Sequence, residues 1–221
     1  IVEIDTIHDG LIIGSPFSGV IESKVVLKKH LHDGEIPTML WMRLYKRELF
    51  NEKVFPSFYT NNEDNYALPC LLYKAKNIGF IHEALHTYST DNQNGVMINI
   101  NKHAYYSNSL QKSRERSLFA IAYIERFIGI KKLYDDYYDD MIKFKVRTIL
   151  GYIFSGSYVI SLREKLSICS SILGFKSKRE LIRFVEKYIN RNRRFYLAIK
   201  YLGLLNTYYI KKTIEKIRIF L

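Results

Sequence analysis

Four groups of side chains in this 221-residue sequence are of types that do chemistry. His82-Glu83-Ala84-Leu85-His86 is a literal H-E-x-x-H, in which two histidines one helical turn apart hold Zn²⁺ while the glutamate activates a water. That chemistry requires a helix. Gly79 precedes the segment and Thr87, Tyr88, Ser89 and Thr90 follow it, which predicts a strand running into a loop. Along a strand the two imidazoles sit about 13 Å apart, too far for one zinc. Neither a Gly nor a His follows at the spacing of a third ligand, so a zinc peptidase stands only as an alternative. Asp135, Asp136, Asp139 and Asp140 put four carboxylates within six residues, but inside a helical pattern, which predicts a solvated acidic turn and not a hard-cation site. His30 and His32 are expected in an exposed helix end.

Glu63-Asp64 has a different setting. The pair follows the loop formers Thr60-Asn61-Asn62 and opens a helical pattern, so both carboxylates are expected at a helix N-terminus, held ionised by the positive end of the dipole. A carboxylate there can serve as a general base or simply cap the helix, and the residues alone leave both open.

The elements that must position these groups fall into two parts. Up to about residue 95, short apolar runs alternate with helical spacing. Ile1-Val2-Glu3-Ile4 and Leu11-Ile12-Ile13 are strand-like, and Gly14 to Gly19 is a breaker-rich loop. Ser23 to His32 and Glu63 to Lys76 carry helical periodicity, and Ile78-Gly79-Phe80-Ile81 predicts a further short strand. From residue 101 onward only helices are expected, one ending near Gly129 and one opened by the S-x-x-E capping box at Ser177 to Glu180. The fold class is therefore an α/β part over 1–95 followed by an all-α region over 96–221.

Charge divides in the same place. The net charge is +12, yet residues 1–100 hold 9 basic against 12 acidic side chains and residues 101–221 hold 25 against 10. So lopsided a distribution points the second part towards a polyanionic partner, an anionic membrane face or a nucleic acid. The longest uncharged run there, Thr148 to Leu162, is too short and too rich in Tyr and Ser to span a bilayer and is expected as a buried helix. Two cysteines about a hundred residues apart encode neither a disulfide framework nor a zinc knuckle, which fits a reducing cytoplasmic setting. The strand-like opening without a signal peptide suggests the back part of a longer polypeptide.

One ordered set of segments resembles a known family. Trp41-Met42-Arg43-Leu44-Tyr45-Lys46-Arg47, Phe55-Pro56, Asn62-Glu63-Asp64, Ala75-Lys76-Asn77-Ile78 and Leu85-His86-Thr87-Tyr88 look like the second half of a family 2 glycosyltransferase of GT-A fold. The resemblance covers roughly residues 1–95 and implies the acceptor-side half of such a domain. In that role Asp64 would be the general base of an inverting sugar transfer, Glu63 would support it, and Trp41 and Tyr88 would line the acceptor side. The family's donor half, with its metal-binding Asp-x-Asp, has no counterpart here. A divalent metal, Mg or Mn, is thus expected only in a full-length enzyme, and this chain alone is expected to bind none and to be inactive. The partners implied are a nucleotide-sugar donor, a glycan or lipid-linked acceptor, and an anionic membrane surface under the basic helices, with a peripheral location on the cytoplasmic face. A nucleic acid is disfavoured, because no G-x-x-G, RNP or zinc-finger signature accompanies the charge.

Overall fold

A computed structural model of the chain describes residues 1–8, 10–50, 54–55, 63–89, 108–155, 160–189, 199 and 203–212. Five strands form one sheet: β1 (Val2–His8), β2 (Leu11–Ile13), β3 (Gly19–Glu22), β4 (Arg43–Leu44) and β5 (Asn77–Tyr88). Their order is β2-β1-β5-β3, with β4 also paired to β1. The central β1–β5 pair is parallel and the remaining pairs are antiparallel. Helices α1 (Ser23–Asp33) and α2 (Glu63–Lys74) accompany the sheet. After them come α3 (Asn108–Ile128), α4 (Ile130–Asp136), α5 (Tyr138–Ser155), α6 (Leu162–Ile172) and α7 (Lys178–Tyr188), and a further helical segment covers 203–212. A mixed sheet followed by helices is the coarse class that the sequence predicts.

Several elements differ from expectation in extent. Residues 78–81 and 82–86, expected as separate short pieces, belong to one twelve-residue strand, β5, whose pairing with β1 continues through register shifts beside Asp5. The uncharged run 148–162 is no single helix: α5 ends at Ser155 and α6 begins at Leu162. The capping box predicted at Ser177 is half formed. The Ser177 hydroxyl accepts from the Glu180 N–H, but the Glu180 carboxylate accepts from Lys176, one residue further out. A complete box stands instead at Ser161 and Glu164. His30 is not exposed as expected but fully enclosed, because its position in α1 faces α5, while His32 on the neighbouring face is partly exposed and meets Asp140 at 2.8 Å.

The hydrophobic core runs across both parts. Val26, Leu27 and Leu31 of α1, Leu68 and Leu72 of α2, and Ile78 and Phe80 of β5 pack with Ile121, Ile124 and Ile128 of α3 and with Met141 and Phe144 of α5. The three- and four-residue spacing on α3 is the apolar stripe of a helix lying on a core. A second cluster, centred on Ile149, Ile153, Leu166, Leu181 and Val185, joins α5, α6 and α7. Arg147 of α5 reinforces the junction by donating to the carbonyls of His30, Leu31 and His32 at the C-terminal end of α1, where the His30 carbonyl also accepts the Gly34 N–H. Gly34, at φ 69°, closes that helix, and a Cβ there would come within 2.8 Å of the Arg147 guanidinium.

One buried ion pair orders the front of the sheet. The Arg43 side chain is fully enclosed. Its Nε donates to the Glu3 carboxylate at 2.8 Å, its Nη1 to the Met39 carbonyl at 2.8 Å and its Nη2 to the Pro37 carbonyl at 2.7 Å. A single guanidinium thereby ties β1 to the 37–42 loop. Removing one partner leaves a buried charge uncompensated, so Arg43→Met is expected to cost about 3–5 kcal/mol in urea unfolding. The double variant Glu3→Leu/Arg43→Met should recover a large part of that loss, and equal loss in both would show that the charges are not the cause.

Candidate functional site

At the carboxyl ends of the two parallel strands the structure assembles a stack of rings. His8 is the last residue of β1 and Tyr88 the last of β5, paired in register. Their rings stack at 5.0 Å and 6°. Trp41, in the short 3-10 turn Leu40–Met42, stacks on Tyr88 at 5.1 Å and 7° and on His86 at 4.8 Å and 33°. The two residues expected on the acceptor side are thus in face-to-face contact, with His8 and His86 extending the platform. All four rings remain partly exposed. Crevices at the carboxyl ends of parallel strands are where open α/β sheets bind ligands.

Asp64 is joined to this platform through the backbone. It lies in the first turn of α2, and its Oδ1 accepts the Leu40 N–H at 3.3 Å, one residue before Trp41. The carboxylate is half-buried against the 37–42 loop, while Glu63 beside it is exposed. This placement reverses the expected electrostatics. Burial first, and the charge of Glu63 second, raise the Asp64 carboxyl to about 6, against the pull of the Leu40 N–H and of Arg43. The dipole of α2 does not keep the acid as strong as in water, because desolvation outweighs it here. At neutral pH the group is an ionised base close to its own titration point.

Tyr45 and Arg43 complete the surroundings. The Tyr45 hydroxyl is buried, and its pKa is pushed up to about 12, chiefly by burial and with a contribution from the Asp64 charge. Glu3 and His8 are absent from the site that the sequence predicts, where His86 figures only as a zinc-ligand candidate and within the Leu85–Tyr88 segment, and Arg43 only within the Trp41–Arg47 segment. An acid at the third position of an apolar strand and an arginine among bulky apolar residues were the available signals.

The H-E-x-x-H segment is extended within β5, as the flanking residues predict. His82 engages the Asp5 carboxylate at 3.4 Å and the Phe17 carbonyl at 2.9 Å, whereas His86 lies against Trp41. The two imidazoles serve different neighbours. Among the described residues no group of three or more His, Cys, Asp or Glu side chains could hold a metal ion. The Mg or Mn implied by resemblance therefore has no fitting donor set among them, and no chemical step is assigned to it. The Pro56 to Asn62 stretch of the resemblance lies outside the described residues.

Compared with known proteins, the chain matches no family model, no curated protein and no solved structure.

The raised Asp64 value has a consequence for stability with a definite sign. The folded state holds this proton more tightly than the unfolded chain, whose reference value is 3.8. The stability it contributes is complete below about pH 4 and is lost as pH rises through about 6. Near pH 7.5, Asp64→Asn should therefore stabilise the protein, by about 1–2 kcal/mol once the partial solvent exposure of the group is allowed for. The gain should disappear near pH 3.5 in urea denaturation at the two pH values. A variant that is less stable at the higher pH would remove burial strain as the cause.

Proposed function

We propose that this chain is the acceptor-side part of an inverting glycosyltransferase with Asp64 as general base. The observation that carries the reading is the juxtaposition of a half-buried carboxylate, its pKa raised to about 6, with the Trp41–Tyr88 ring pair at the ends of the parallel strands. Flat aromatic faces suit the C–H faces of a sugar ring, and a base titrating just below neutral pH combines ionisation with useful basicity. Asp64 takes the proton of an acceptor hydroxyl as that oxygen attacks the anomeric carbon. The bond from that carbon to the nucleotide phosphate breaks, and the nucleotide leaves with the electron pair. Glu63 keeps Asp64 basic by its charge. Trp41 and Tyr88 hold the acceptor glycan. The nucleotide-sugar donor, and any Mg or Mn with it, belongs to a donor half that this chain does not supply.

Trp41 is the sole tryptophan, so its emission reports on the platform directly. Titration with oligosaccharide acceptors should change that emission saturably, and Tyr88→Ala should weaken the binding about fivefold, as loss of a stacked aromatic partner worth about 1 kcal/mol predicts. In a polypeptide joining this chain to a donor half, Asp64→Asn should lower transfer roughly a hundredfold or more while the acceptor still perturbs Trp41. Undiminished transfer would refute the assignment of the base.

The basic helices suit a peripheral position on the cytoplasmic face of a membrane. Arg179, Arg183 and Lys187 recur every four residues along the exposed face of α7, opposite the buried Leu181 and Val185. No helix of the described residues is long and apolar enough to cross a membrane. Each such cation near an anionic leaflet contributes about 1 kcal/mol. Co-sedimentation with anionic vesicles should be strong at low salt and fall steeply above physiological ionic strength. Binding that persists in high salt, or that is equal with neutral vesicles, would contradict the electrostatic attachment.

A further inference from the structure

Between α1, α2, α3 and α5 lies a cavity of about 270 Å³ that the aromatic platform does not include. Its wall carries His30 and Thr38, Asn65 of α2, Ser117 of α3, and Arg147 and Thr148 of α5. Among the described residues no aspartate or glutamate lines it. We propose that this cavity is a binding site for a small oxyanion, of which phosphate is the simplest example.

His30 provides the main observation. It is 2% exposed, and neither ring nitrogen has a hydrogen-bond partner of normal geometry, the backbone of Ile36 offering only a weak contact. Two buried and unsatisfied ring nitrogens cost more than a side chain at this depth ordinarily carries without a compensating partner. The local field also favours negative charge. Burial, followed by the charges of Arg147 and Arg43, pushes the His30 imidazolium down to about 3, so the ring is neutral at working pH and can donate one N–H. The Arg147 guanidinium, whose Nη groups already donate to the α1 carbonyls, supplies positive charge, while a neutral imidazole donor, the hydroxyls of Thr38 and Ser117 and the amide of Asn65 form a donor set for oxygens. The volume lies just below the usual range for pockets that hold drug-sized ligands, which suits an anion of few atoms.

The site is tested by titrating the protein with inorganic phosphate while following the histidine ring signals by NMR, with His30 assigned through a His30→Gln variant. Saturable movement of the His30 signals is expected, together with a rise in its pKa of about one unit or more, a tenfold gain in proton affinity, because the bound anion offsets Arg147. Ala120 also lines the cavity, and Ala120→Leu would fill it with an apolar side chain without touching the donors. That variant should remain folded and lose the phosphate response. Methyl phosphate forms a second arm: a response to phosphate alone marks a free ion, and a response to both marks the phosphate end of a larger molecule. No response to phosphate at millimolar concentration, the same response to chloride at matched ionic strength, or an unchanged response in folded Ala120→Leu would each overturn the proposal.

Discussion

The buried Arg43–Glu3 pair is the constraint on which the rest of the α/β part depends. Both side chains are out of water, so their charges must satisfy one another, and the guanidinium uses its remaining donors on the Pro37 and Met39 carbonyls. A loop that would otherwise hang from the sheet edge is thereby fixed. Leu40 then presents its N–H to Asp64, and Trp41 presents its ring to Tyr88. Burial beneath that loop, with the Glu63 charge second, sets the basicity of Asp64, and the Arg43 charge only tempers it.

The helical region is more than an appendage to that arrangement. Ile121, Ile124 and Ile128 of α3 and Met141 and Phe144 of α5 close the core over α1, α2 and the inner face of β5, and Arg147 caps the end of α1 from a distance of more than a hundred residues. Asp64 sits in the first turn of α2, whose buried face is closed by α3, and the Tyr66 hydroxyl donates to the Arg116 carbonyl. The exposed side of these helices keeps its charge for solvent or for a surface, as Arg179, Arg183 and Lys187 illustrate.

The sequence by itself determined the element types. Alternation and breakers marked the strands, three- and four-residue spacing marked the helices, and the threonine- and tyrosine-rich flank of His82 to His86 marked that segment as extended, because these are local preferences of the backbone and of one apolar face. It also marked Glu63-Asp64 at a helix start and the separation of charge between the two parts. Only the tertiary structure decided the rest. That Asp64 is a weakened acid follows from burial beneath a loop that Arg43 holds, and no local pattern encodes desolvation. That Tyr88 is stacked by His8 and by Trp41 follows from the parallel register of β1 and β5 and from the loop that Arg43 holds. That His30 is enclosed beside Arg147 follows from the packing of α5 on α1, an encounter between residues more than a hundred positions apart, which periodicity along a single helix cannot foretell.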